Sequence, residues 1–259
     1  MNHKGLWFRI SILQRVLRAD VPLMLEPGEV HVWYRATDTL GEIDILDSVA
    51  VLSPDERARY ARFRFVRDQR DYAAAHALLR TSLSRYAGAG PTSWTFQVAP
   101  GGKPFLVLED GLPQLSFNLS HTHGLVACAI TNGSDVGVDV ESVGREVTDG
   151  VAERFFSESE NVDLRRCGTA ALRARRFIEL WTLKEAYVKA IGKGLSHPLN
   201  SIVFDPSDRE SIRFLPPSDV DRNRWRFTLF APTDAHCLAV AVRHDPQIRP
   251  RIRVMSAEC

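Results

Sequence analysis

No run of about eighteen apolar residues occurs in the chain, so the pattern of a membrane-spanning helix is missing. The formal net charge is only +1, which leaves no overall field to draw the protein to nucleic acid or to a membrane surface. Anion binding must come from local clusters. Cysteine is scarce: Cys128, Cys167, Cys237 and Cys259 form no Cys-x-x-Cys pair and have no histidine at zinc-finger spacing. Thiols scattered in this way read as reduced side chains of a cytoplasmic protein rather than as a disulfide framework. Neither a Walker glycine loop nor a dinucleotide glycine fingerprint is present, which removes the commonest phosphate-binding motifs. The first twenty-odd residues mix basic and apolar side chains but lack the clean apolar core and small-residue cleavage site of a signal peptide. Residues 1–27 read as an N-terminal extension with the pattern of a short basic amphipathic helix.

What is present is ordinary for a globular protein: 44% apolar and 25% charged residues over 259 positions, enough for one large domain or two small ones. A β-branched and aromatic stretch at 30–34 predicts a strand. Ser53-Pro54-Asp55-Glu56 opens a helix, with serine at the N-cap, proline in the first turn and Glu56 completing a capping box. An alanine- and leucine-rich helix covers about 71–86. Short strands are expected at 94–98, 105–108, 116–118 and 125–131, with a tight turn at 100–104. The same order then returns: a strand at 135–140, a short helix opened by Ser157, a long helix over 170–191 ended by Gly192, and strands near 201–204, 225–229 and 237–242.

The recurrence has a fixed spacing. Ser53 lies 104 residues before Ser157, Glu56 the same distance before Glu160, and Gly88 before Gly192. Arg80 and Arg85 fall opposite Lys184 and Lys189, and the opening strands align at 106. The expected organisation is an α/β half over 28–131 and a second over 132–259, joined at the turn-like Asn132-Gly133-Ser134, with a cleft between them as the natural ligand site.

Carboxylates mark the second half. Asp139 and Glu141, two apart in a strand, point to one face. Adjacent carboxylates among apolar neighbours are costly unless a cation shares them, and a hard divalent ion is the simplest partner. The alternative is an exposed strand end with both acids in water. Glu185 and Lys189, four apart on the long helix, share a face. They read either as a surface ion pair or as a metal ligand with a phosphate-binding lysine. The positions matching Asp139, Glu141 and Glu185 in the first half carry Trp33, Arg35 and Thr81, so the architecture itself does not require the acids. Between Arg57 and Arg85 eight arginines face only two acids, a local source of positive charge. His121, after Asn118 and Ser120 and just before Gly124, suits a phosphate-contacting turn.

Phe-Asn-Leu-Ser-His at 117–121, Val-Gly-Val-Asp-Val-Glu at 136–141, Arg-Phe-Phe-Ser at 154–157 and Trp-Thr-Leu-Lys-Glu-Ala-Tyr-Val-Lys-Ala-Ile-Gly-Lys-Gly-Leu at 181–195 resemble the 4′-phosphopantetheinyl transferases. The two-half length resembles the surfactin-synthetase-activating type. The resemblance implies an α/β (α+β) fold of two similar halves about a pseudo-two-fold axis, with coenzyme A as substrate between them. It implies Asp139, Glu141 and Glu185 as ligands of magnesium, or of manganese in its place. It implies Lys189 on the pyrophosphate, and Asn118, Ser120 and His121 at coenzyme A phosphate contacts. Gly102, Lys103 and Pro104 would form the nucleotide-binding loop, and Arg64 and Arg67 would meet the 3′-phosphate. The implied reaction is transfer of phosphopantetheine to a serine of an acyl or peptidyl carrier protein, leaving 3′,5′-ADP, with Glu185 first and Glu160 second as proton acceptor. Nucleic-acid and membrane partners are not expected, and one chain holding both halves implies a monomer. Two other readings remain: an inactive coenzyme A-binding homologue and a different magnesium-dependent phosphoryl transferase.

Overall fold

The computed structural model describes residues 22–107, 113–145, 150–194, 197–209, 211–217 and 220–257. The helix expected in the N-terminal extension, residues 1–21, and Cys259 lie outside these. In chain order the elements are β1 (Glu29–Ala36), α1 (Glu42–Ala50), α2 (Pro54–Tyr60), α3 (Val66–Ser84), β2 (Phe96–Val98), β3 (Pro104–Leu106), β4 (Leu115–Thr122), β5 (Leu125–Asn132) and β6 (Val136–Ser142). They continue with α4 (Val151–Phe155), α5 (Glu158–Arg166), α6 (Ala170–Ile191), β7 (Val203–Asp205), β8 (Arg213–Leu215), β9 (Trp225–Thr233), β10 (His236–Arg243) and β11 (Arg251–Ser256).

The two halves have the same topology. One sheet runs β1-β5-β4 and the other β6-β10-β9, both antiparallel, so each half places its third long strand between the first and second. Each half also has one small two-stranded sheet, β2-β3 or β7-β8. β11 breaks the symmetry: it pairs in parallel with β1, so by pairing it belongs to the first sheet although it lies at the end of the segment 132–259.

The repeat extends to a buried ion pair. Ser53 and Ser157 cap α2 and α5, and Glu56 and Glu160 close the two capping boxes. The fully buried Arg80 of α3 donates to Glu56 at 2.8 Å and to the carbonyls of Pro91 and Trp94 at 3.1 and 2.9 Å. The fully buried Lys184 of α6 pairs with Glu160 at 2.9 Å and donates to the carbonyls of Leu199 and Ile202. Each long helix is thus fastened to the short helix before it and to a 3₁₀ turn after it.

Strand alternation sets three of the four buried clusters; the fourth is Leu52, Tyr72 and Ala73. Val126, Cys128 and Ile130 of β5 face α3, with Trp33, Leu78, Leu79 and Phe117. Cys237, Ala239 and Ala241 of β10 face α6, with Phe177, Leu183 and Tyr187. The opposite faces of both sheets close on one another: Val30, Val32, Leu125, Ala127 and Ala129 from the first half meet Val136, Val138, Val140, Leu238 and Val240 from the second. At the seam, side chains replace a backbone ladder. Asn118 Oδ1 accepts from the Val138 N–H at 2.9 Å and Ser120 Oγ from the Val140 N–H at 3.2 Å.

Candidate active site

The site forms where α6 crosses β6. The same alternation that buries Val136, Val138 and Val140 turns Gly137, Asp139 and Glu141 toward α6. Glycine at 137 is a packing requirement, because a Cβ there would overlap the Ala186 carbonyl oxygen and the Ala190 nitrogen. The helix backbone therefore rests directly on the strand. Glu185 and Lys189, flanking Ala186 and Ala190, are carried in beside Asp139.

Asp139 is buried. Its Oδ1 accepts from Lys189 Nζ at 2.6 Å and from Ser120 Oγ at 3.0 Å, while its Oδ2 is buried with no partner. Ser120 Oγ also accepts from Lys189 at 2.8 Å, so lysine, serine and aspartate form one closed network. Glu141 Oε1 accepts from Arg145 at 2.5 Å and from the Trp181 indole at 3.1 Å. Glu185 has a buried Oε1 with no partner. Burial first, then the Asp139 and Glu141 charges, push the Glu185 carboxyl up to about 7 against the pull of Lys189 and Arg145. Burial and Asp139 likewise raise Glu141, opposed by Arg145, Trp181 and Lys189.

No group of three or more histidine, cysteine, aspartate or glutamate side chains is preassembled as a metal cage among the described residues. The donor set nevertheless fits a hard cation. The Asp139 and Glu141 charges act on Glu185, and two carboxylate oxygens, Asp139 Oδ2 and Glu185 Oε1, are buried and unsatisfied. Magnesium takes few protein carboxylates and completes its shell with water and phosphate oxygens, so a closed cage is not needed.

The first half shows what the fold does without the acids. There Trp33 donates its indole N–H to Tyr86 at 2.9 Å, and Arg85, opposite Lys189 in the repeat, lies 4.5 Å from the Trp33 ring centre. The cation is kept, and the residue opposite Asp139 is the aromatic Trp33, with Arg35 and Thr81 opposite Glu141 and Glu185.

Other expected residues have different surroundings. Glu160 is 2% exposed and both its oxygens are engaged, by Ser157 and Lys184 on one side and the Phe204 N–H on the other. Its counterpart Glu56 does the same work in the half without acids. This geometry makes Glu160 part of the architecture, not an accessible proton acceptor. Asn118 is buried at the seam. Lys103 is tied to the carbonyls of Val136 and Ala190 at 3.2 and 2.7 Å, capping the last turn of α6, and burial lowers its ammonium. Gly101 touches the Gly192 carbonyl so closely that a Cβ would overlap it, which docks the 101–104 turn, with Gly102 and Pro104, on the helix end. Beside that turn opens a cavity of about 430 Å³, lined in part by Pro104, Phe105, Ser116, Phe117 and Asp135. His121 stands at the open end of β4. Desolvation and then the Lys189 ammonium lower its imidazole. Arg64 and Arg67 are exposed and flank Phe65, each guanidinium within about 6 Å of its ring centre. Arg145 and Trp181 are contacts of Glu141 that sequence reasoning did not assign. Arginine four residues beyond Glu141 was the available signal.

No helix among the described residues is long and apolar enough to cross a membrane. The family model of the 4′-phosphopantetheinyl transferase superfamily matches residues 135–241, and that of the 4′-phosphopantetheinyl transferase N-terminal region matches residues 42–132. The 4′-phosphopantetheinyl transferase HetI of Nostoc sp. is 33% identical over 85% of this chain and 90% of its own length. A phosphopantetheinyl transferase of Thraustochytrium sp. is 32% identical over 78% of this chain and 75% of its own. A solved holo-[acyl-carrier-protein] synthase of Thermotoga maritima is 28% identical over 43% of this chain and 63% of its own, with a TM-score of 0.36. Two family models, one in each half, and relatives aligned over 75% and 90% of their own length lead to one assignment: the chain belongs to the 4′-phosphopantetheinyl transferase superfamily.

Proposed function

We propose that the protein transfers the 4′-phosphopantetheine of coenzyme A to a serine of an apo acyl or peptidyl carrier protein, releasing 3′,5′-ADP. The observation that carries this is the convergence of Asp139, Glu141, Glu185 and Lys189 where α6 meets β6, with two buried carboxylate oxygens left open to a cation. The cavity beside the 101–104 turn has the volume of a small-ligand pocket and is assigned to the nucleotide end of coenzyme A. Arg64 and Arg67, both exposed and the latter paired with Asp68 at 3.4 Å, are assigned to the 3′-phosphate, to which arginine binds bidentately.

Asp139, Glu141 and Glu185 would hold a magnesium or manganese ion, which when bound supplies charge neutralisation on the diphosphate. Lys189 binds a diphosphate oxygen and offsets charge on the departing 3′,5′-ADP. Ser120 keeps Lys189 and Asp139 in register. The carrier serine forms its bond to the pantetheine-bearing phosphorus as the bond to the bridging oxygen breaks, and its proton passes to Glu185 directly or through one water. Glu185 supports that role because its carboxylate reaches the site, whereas Glu160 is enclosed.

The test is incubation with an apo carrier, coenzyme A and magnesium, followed by intact mass of the carrier. A gain of one phosphopantetheine, lost with EDTA or with Asp139→Ala, is the expected result. Turnover retained by a folded Asp139→Ala or Glu185→Gln protein would overturn the metal-site assignment. Absence of any gain across peptide, polyketide and fatty-acid carriers would favour a coenzyme A-binding homologue without turnover.

A further inference from the structure

Among the described residues, the cations paired with the acids of the site are Lys189 and Arg145, and the second comes from an unexpected place. Lys189 serves Asp139. Glu141 is served by Arg145, which follows it by four residues past the end of β6. The Arg145 guanidinium meets Glu141 Oε1 at 2.5 Å and lies 5.6 Å from the Trp181 ring centre, while the Trp181 indole donates to the same oxygen at 3.1 Å. Arg145 is therefore held on two sides, by a carboxylate and by an aromatic face, which is a favoured environment for a guanidinium. Its charge also reaches Glu185 and opposes the rise of that carboxyl.

The two partners differ in freedom. The Glu141 side chain is 14% exposed, whereas that of Arg145 is 49% exposed. The arginine has open solvent to move into, while the glutamate is fixed on the strand. A divalent ion that drew on Glu141 would meet a guanidinium already seated on its carboxylate.

We propose that Arg145 is a positioning residue that acts as a built-in counter-cation: it holds and neutralises Glu141 in the cation-free protein and is displaced by the divalent ion, pivoting on Trp181. The inference rests on the metal-site reading above. It gives Arg145 a cost and a benefit. Arg145 competes with the metal and weakens its binding, and it keeps Glu141 oriented when no metal is there.

The probe is Mn²⁺ alone, with free ion counted by electron paramagnetic resonance, on the full chain without coenzyme A. Arg145→Ala is expected to bind Mn²⁺ about fivefold more tightly than the parent, the weight of one partly exposed ion pair. Arg145→Lys, which keeps the charge and loses the planar stacking, is expected between the two. Hydrogen exchange at residues 142–145 supplies a second readout. Mn²⁺ should speed exchange there in the parent and change little in Arg145→Ala, where the contact is already gone. Equal or weaker Mn²⁺ binding by a folded Arg145→Ala, beside Asp139-dependent binding by the parent, would overturn the displacement and leave the metal site standing. Binding that survives Asp139→Ala, or no binding by any of these proteins, would overturn the metal-site reading and the displacement together.

Discussion

Glu160, in the first turn of α5, and Glu185, inside α6, are both helical glutamates of the second half, and their surroundings divide their roles. Glu160 is saturated: a buried ammonium, a serine and two backbone N–H groups account for its oxygens. Glu185 keeps a buried oxygen without a partner and is pushed up to about 7. Removing the charge of Glu160 leaves Lys184, 0% exposed, without its counter-ion. Glu160→Gln should therefore cost about 3–5 kcal/mol of stability, the usual penalty for breaking one side of a buried pair. Turnover per folded molecule should change little. Urea unfolding together with specific activity at low temperature separates the two effects. Lys184→Met placed on top of Glu160→Gln should restore part of the lost stability, because no buried charge is then unpaired. A normal unfolding curve with lost turnover would return Glu160 to the list of proton acceptors.

The elements owe their positions to short-range rules and to a few close contacts. The Ser53–Glu56 capping box, the helix start at Ser157 and the limits of α6 were legible in the sequence, because N-caps, apolar periodicity and a terminal glycine act within a few residues. α3 begins at Val66 rather than near 71, since the arginine-rich segment before it continues the helix without an apolar stripe. α1 and β11 were not legible: one is nine residues of mixed pattern, and the other is fixed by parallel pairing to a strand more than 200 residues away. For the site, the acids stood out because the repeat supplied a half that lacks them. The seam roles of Asn118 and Lys103 did not, since they depend on β6 and the α6 terminus arriving from elsewhere. Gly137 carries much of that arrangement. Gly137→Ala should lower stability by about 1–3 kcal/mol or more, as overpacking against a backbone has no flexible side chain to yield. It should also lower turnover by lifting Glu185 from Asp139, measurable as a fall in kcat in the folded fraction. The α2–α3 fastening has a pH signature. Burial alone raises Glu56, but His76, Arg80 and the Ser53 N–H outweigh it and hold the carboxyl at about 2, against 4.5 ordinarily. A lowered folded-state value means stability present above pH 4.5 and lost as pH falls toward 2. The loss amounts to about 3 kcal/mol over that window. Unfolding free energies of the parent and Glu56→Gln should therefore converge as pH drops from 5 to 2. A constant gap between them would rule out this linkage.

At the scale of the molecule, the repeat suggests two domains, while the core argues for one cooperative unit. The division expected at 131 and 132 falls at the last residue of β5, and the strand faces the halves share are deeply buried: Val30, Val32, Leu125, Ala127, Val136, Val138, Leu238 and Val240 are all 0% exposed. Either half alone would expose that face to water. The first would also lose β11 from the edge of β1, leaving an unpaired strand prone to association. Asn118 and Ser120 add polar ties across the seam, and Ser120 belongs to the site as well, so the catalytic geometry depends on the halves staying docked. The expected result is a single calorimetric transition for the full chain, with matching van't Hoff and calorimetric enthalpies. A fragment ending at Asn132 should not fold as a soluble monomer. Asn118→Leu would leave the buried Val138 N–H without its acceptor, at a cost of about 1–3 kcal/mol. It should shift the whole transition rather than split it. Two resolved transitions, with only one displaced by the seam substitution, would instead make the halves independent domains and the site an interface between them.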